Sequence, residues 1–161
     1  MTETSFDFHD GNGPVPAHQH ANGGGWVADC AVVDAEAYVG PEARVSGEAR
    51  VLGEAQVFGE ARVFDKARVF GEARVSGEAQ VLGEARVSKT PVCVTGLLWP
   101  VTISDNIIQI GCQGHTADEW DEFDNHAIAG MDGRDALKFW VKYKQLIMQH
   151  ARLHQIVKDQ A

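Results

Sequence analysis

The histidines and cysteines, the side chains best suited to acid–base or nucleophilic chemistry, all lie outside residues 33–92 of this 161-residue chain. The histidines are His9, His18, His20, His115, His126, His150 and His154, so residues 33–92 hold none. A metal centre needs three or four convergent donors. His18 and His20 share a Gly- and Pro-rich arm, where a polar loop is the plainer reading. His150 and His154, four apart, share one face of an expected helix but have no third donor near them in sequence. Cys112 and His115, in GCQGHT, form a thiol–imidazole pair only if the fold brings them together. Cys30, Cys93 and Cys112 make no C-x-x-C pair and leave one odd, which reads as reduced thiols in a cytosolic protein. No metal and no cofactor is expected, and the chain reads as a non-enzyme.

The second chemistry is anion binding. Arg50, Arg68 and Arg86 are spaced by eighteen residues, and Lys66 stands where most repeats carry Glu. Such groups can share a phosphate only if positions eighteen apart become neighbours in space. The element that could arrange this is a repeat. Val occupies 27, 33, 39, 45, 51, 57, 63, 69, 75, 81 and 87, and Ala every sixth position from 31 to 85. Period six is not a helix period, because six steps of about 100° turn the face away. Gly-Glu within each unit makes a poor strand interior and a good corner. Each hexad is therefore a short extended piece plus a bend, with Val and Ala inward. Three pieces close a triangle, and triangles stack into a β-solenoid with rungs about 4.8 Å apart.

The unit V-x-G-E-A-x across residues 27–92 resembles the hexapeptide repeat of left-handed parallel β-helices, found in acyltransferases and gamma-class carbonic anhydrases. The resemblance implies a left-handed solenoid, of about 3.7 turns for eleven hexads, and a homotrimer. A right-handed crossover would be the physical default. The catalytic side of the resemblance fails residue by residue: no histidine and no inserted loop interrupts residues 33–92. The strict repetition ahead of a short α/β tail also resembles phage and prophage proteins of unassigned function. That likeness implies a counter-defence protein acting in the host cytoplasm.

Eighteen-residue columns make the surface readable. One corner stacks Glu42/Arg44, Glu60/Arg62 and Glu78/Gln80; another stacks Glu36/Tyr38, Glu54/Gln56 and Glu72/Arg74. The third stacks Glu48/Arg50, Lys66/Arg68 and Glu84/Arg86, the one locally positive edge. Either Lys66 laces a Glu48–Glu84 column with salt bridges, or the corner receives an anion. Phe64 stacked with Leu82 and Leu52 stacked with Phe70 flank this corner as outward apolar columns, suited to base stacking or a subunit boundary. The candidate ligand-binding residues are Arg50, Lys66, Arg68, Arg86, Phe64 and Phe70, with Cys112 and His115 secondary.

The flanks carry the caps. HANGGGWVADC (20–30) reads as a lower cap with Trp26 as plug. VTISDNIIQI (101–110) reads as a hairpin turning at Asp105-Asn106. Thr116 opens a capping box before a short helix bearing Trp120 and Phe123, and Asp132 caps a longer helix over about 134–157. Its apolar stripe is Phe139, Tyr143, Leu146, Leu153 and Val157, widened by Trp140 and Ile147. The division expected is an arm and cap at 1–26, the β-helix at 27–92 and an α/β cap at 93–161. Net charge is −9, and residues 33–92 hold ten acids against eight bases. This argues against general nucleic-acid or membrane-surface binding. No apolar run approaches the roughly 20 residues of a membrane span, and MTETSFDFHDGNG does not read as a signal peptide. The overall expectation is a cytoplasmic, non-catalytic trimer that sequesters a small anionic nucleotide-type ligand. Its rivals are an inhibitor that binds a host defence protein through the acidic 118–135 segment, and an acyltransferase-like enzyme.

Overall fold

The structure, a computed structural model, describes residues 4–155. The chain divides into two compact units, Met1–Pro91 and Val92–Ala161. It is mainly β, a stacked parallel solenoid of about three turns, then an antiparallel sheet and helices.

In the first unit, β1 (Ser5–Asp7) and β2 (Pro14–Gln19) form an antiparallel hairpin. The repeat follows as β3 (Trp26–Ala28), β4 (Val32–Val33), β5 (Tyr38–Val39), β6 (Arg44–Val45), β7 (Arg50–Val51) and β8 (Gln56–Val57). It continues as β9 (Arg62–Val63), β10 (Arg68–Val69), β11 (Arg74–Val75), β12 (Gln80–Val81) and β13 (Arg86–Val87). The three faces are β1-β2-β3-β6-β9-β12, β13-β10-β7-β4 and β11-β8-β5. Every third strand pairs in parallel, so Arg50 meets Arg68 and Val51 meets Val69, one circuit of eighteen residues apart. Valines from Val39 to Val75 and alanines from Ala37 to Ala73 are 0% exposed at every sixth position. Each buried valine contributes about 1.5–3 kcal/mol relative to exposure, realised only when a neighbouring rung covers it.

The corners explain the glycines. Gly47, Gly59 and Gly77 have φ of +64°, the left-handed region. In the one repeat with Asp65-Lys66, Asp65 takes the same conformation at φ +58° and its carboxylate accepts the Gly83 N–H at 3.2 Å. Asp is among the few side chains that tolerate this region. Asp34 makes the matching bond to Gly53 N–H at 2.7 Å.

The lower cap differs from expectation at Trp26. Its register partner is Arg44, which puts the indole in an outward column, half-buried and stacked on Phe6 with centroids 4.6 Å apart. A two-residue alternation leaves only Val27 inward. The cap over β5 is made of backbone instead: Gly25 N–H donates to Val39 O, Val39 N–H donates to Asn22 O, and the His20 ring lies 2.8 Å from Ala37 O.

In the second unit, β14 (Val92–Val94), β15 (Val101–Ile103), β16 (Ile108–Ile110) and β17 (Gln113–His115) form one antiparallel sheet. The β15–β16 hairpin turns at Asp105-Asn106, with Ser104 N–H donating to Ile107 O. Two further strands widen the sheet beyond that hairpin. Helix α1 (Ala117–Glu122) starts at the Thr116 capping box. Helix α2 (Asn125–Gln155) has an added first segment, with Asp124 accepting the Ala127 N–H at 2.8 Å, and is interrupted at Asp132-Gly133, after which the expected longer helix runs. Its buried face is Ala136, Phe139, Trp140, Ile147, Met148 and Ala151, whereas Leu146 and Leu153 are 45% and 68% exposed. Of the expected stripe, Phe139, Trp140 and Ile147 are buried and Tyr143 is partly buried against the same cluster, while Leu146 and Leu153 turn to solvent. Val157 lies outside the described residues.

Two predictions follow from these corners and caps. A Cβ on Gly47 would come within 2.9 Å of Asp65 backbone, but on Gly77 it would meet open space. Gly77→Ala should therefore cost about 1–2 kcal/mol of left-handed strain, and Gly47→Ala measurably more, by urea denaturation. Equal losses would mean that adjacent corners do not pack closely. In the capping box, the Thr116 N–H donates to Glu119 Oε2 at 2.8 Å and holds that carboxyl below its ordinary value of 4.5. A lowered acid stabilises above its unfolded pKa and loses the effect as pH falls through the folded one. The melting difference between native chain and Glu119→Ala should be present at pH 7 and vanish in acid, by circular dichroism.

Candidate functional site

Strand alternation sets the site. In β7, β10 and β13 the valine points in, so Arg50, Arg68 and Arg86 point out and are exposed. Parallel register aligns them in a single column with Val32 at its lower end. Lys66, on the corner before β10, is exposed, and its N–H donates to Gly83 O. A groove of about 220 Å³ lies here, lined by Cys30, Val32, Glu48, Arg50, Lys66 and Arg68.

The structure thus brings together Arg50, Lys66 and Arg68 of the expected set. Arg86 stands one rung beyond the groove, and it and Glu84 are engaged by other groups. Phe64 is half-buried on the preceding face with the Arg62 guanidinium 5.4 Å from its ring centroid. Phe70 is half-buried just after Val69, its N–H bonded to Val87 O. Neither ring lines the groove. Cys30 and Val32 were missed, though Val32 was legible as the position eighteen before Arg50.

The other repeat arginines show what is unusual. Arg44 lies over Phe6 at 5.4 Å and Arg74 over Phe58 at 5.3 Å. Arg62, besides covering Phe64, donates to Phe8 O at 2.7 Å. Among the described residues, the side chains of Arg50, Lys66 and Arg68 make no ion pair, hydrogen bond or ring contact, nor does that of Glu48. The salt-bridge lacing expected of Lys66 is not formed. The groove holds three cations against one acid and leaves them open to a ligand.

The candidate catalytic pairs do not assemble. His115 directs its ring nitrogens to Gln113 Oε1 at 3.2 Å and Glu119 Oε2 at 3.8 Å, and packs edge-on against Trp120 and Phe123. Cys112 is exposed at the turn between β16 and β17. His18 pairs with Asp29 at 2.8 Å, and His20 faces Ala37 O. Among the described residues no group of three His, Cys, Asp or Glu is arranged to hold a metal ion. No helix there is long and apolar enough to cross a membrane.

Protein-family models, curated proteins and solved structures were compared with the chain, and none matches.

Cys93 reaches solvent at its rim, but partial burial raises its thiol above the ordinary 9.0, against the smaller lowering by a hydrogen bond with Thr102. Its thiolate fraction at neutral pH is correspondingly small. Iodoacetamide at pH 8 should modify Cys93 more slowly in the native chain than in urea, read by peptide mass spectrometry. Equal rates would show that the thiol is not desolvated.

Proposed function

We propose that this chain is a non-catalytic binding protein that sequesters a small anionic ligand of nucleotide type in the groove at Arg50, Lys66 and Arg68. The observation that carries the reading is the register of Arg50 with Arg68 beside Lys66, all exposed and without internal partners, while Arg44, Arg62 and Arg74 each cover an aromatic ring. Guanidinium forks bind phosphate in bidentate fashion, and a lysine adds a mobile point charge. Arg86 extends the column upward, and Phe64 and Phe70 flank it as stacking or subunit-boundary groups. Resemblance to hexapeptide proteins supports a left-handed coil of about 3.7 turns and a homotrimer. Resemblance to phage proteins supports a counter-defence role in the host cytoplasm.

The acidic 118–135 segment supports the rival, a host-protein inhibitor, less well. Glu119 and Asp124 serve as helix caps there, and Asp121 pairs with Lys144 at 3.2 Å.

Isothermal titration of the full chain against a panel of mono-, di- and cyclic nucleotides tests the proposal, with native mass spectrometry reporting stoichiometry. Binding should weaken at least about ten-fold in Arg68→Ala, roughly the loss of one charge-assisted contact, and should weaken with added salt. Arg44→Ala should leave it unchanged. A correctly trimeric sample that binds no nucleotide overturns the proposal, and acetyl-CoA turnover abolished by His115→Ala would assign the chain to the enzymes instead.

A further inference from the structure

The second unit contains a cavity of about 220 Å³ that the groove on the solenoid does not involve. Trp99, Trp120, Phe139 and Trp140 contribute to its walls, and Ile128 and Met131 add apolar surface. Its lining runs from buried Trp120 and Phe139 to exposed Cys112 and Asp132, so it is a pocket that opens to solvent. An apolar cavity of about 150 Å³ already accepts benzene.

Three features give the space a sign. The rings do not stack flat: Trp99 meets Phe139 at 71° with centroids 5.2 Å apart, and Trp120 meets Trp140 at 37° and 5.0 Å. The Trp120 indole N–H is already donated to Ile108 O at 2.9 Å, so the ring contributes aromatic surface to the pocket and no hydrogen-bond donor. Asp132 also lines the cavity, at the break in α2 where Gly133 has φ +68°. Its carboxylate is exposed and makes no hydrogen bond or ion pair among the described residues. No Lys or Arg lines the space. The outer setting shows the same preference, since the Lys144 ammonium lies 5.7 Å from the Trp140 ring centroid while paired with Asp121.

Aromatic faces carry negative potential, and a carboxylate beside them adds a full charge. A hydrated metal ion would need a set of oxygen or nitrogen donors, and these walls lack one. A cation sheathed in methyl groups satisfies both the apolar walls and the charge, because its hydration is weak. We infer that the cavity is a site for a small methylated ammonium compound, held by cation–π contact with the tryptophans and paired with Asp132. The occupant is a free small molecule, since the volume accommodates a quaternary ammonium head whole.

Titration of the full chain with choline, followed by tryptophan fluorescence, tests this against 3,3-dimethylbutan-1-ol, the uncharged isostere. Choline should give a saturable change and bind at least about ten-fold tighter than the alcohol. Asp132→Asn should weaken choline and leave the alcohol unaffected. Arg68→Ala, on the solenoid, should change neither. Equal binding of choline and alcohol overturns the inference in favour of a plain apolar cavity. No saturable change with either ligand overturns it in favour of a packing void. A trimethyl-lysine peptide that binds where choline does not would overturn the assignment to a free small molecule. The comparison of the two ligands on the unaltered chain stands even if the Asp132 variant fails to fold.

Discussion

The backbone hydrogen bonds between rungs are the constraint on which the solenoid rests. Arg50 N–H donates to Ala67 O and Leu52 N–H to Val69 O, and the same pattern recurs at Arg68 with Ala85 and Phe70 with Val87. Strands of two residues have almost no pairing of their own, so each is held by the strands eighteen residues before and after it. The small interior follows from this. Alternating Val and Ala fill the triangle without forcing the rungs apart, and left-handed glycine corners let successive turns approach to backbone contact. Asp65 shows one way to do without the glycine, by adopting the same φ and bonding the glycine above it, whereas Ala35 and Pro41 hold the equivalent position without a positive φ.

A fixed circuit converts sequence differences into columns, and a column of like charge has consequences. Two arginines about 4.8 Å apart repel by about 1 kcal/mol in water and about 3.5 kcal/mol at an effective dielectric of 20. The lower figure suits exposed side chains, so the column is tolerable in the free protein. It still favours any anion that enters, because one phosphate between two guanidiniums turns repulsion into attraction. On the neighbouring faces Arg44 and Arg62, which are in register with one another, and Arg74, which is in register with Gln56, each lie over an aromatic ring. Among the described residues Arg50 and Arg68 lie over no ring, and Lys66 adds a third charge at the corner.

The second unit works by different means. It has no repeat, and its order comes from one apolar cluster joining Val101, Ile103, Ile108 and Ile110 to Trp120 and the buried face of α2. The interruption at Asp132-Gly133 lets both segments of α2 pack on the same cluster, through Ile128 before the break and Phe139 and Trp140 after it.

What the sequence determined by itself was whatever depends on local repetition or short-range chemistry. The period of six set three hexads to a circuit, which foretold the Arg50–Arg68–Arg86 alignment. Asp105-Asn106 marked a turn, and T-A-D-E marked a helix start. Tertiary structure alone decided which groups found partners. The N-terminal hairpin delivers Phe6 and Phe8 O to Arg44 and Arg62, and nothing within the hexads encodes that approach. It likewise turned Trp26 outward, left Leu146 and Leu153 in solvent, and aimed His115 at Gln113 and Glu119 instead of Cys112. The physical reason is common to these cases. A repeat presents the same neighbours at every turn and can be read from one unit, whereas partner choice in the flanks depends on contacts between segments that share no period.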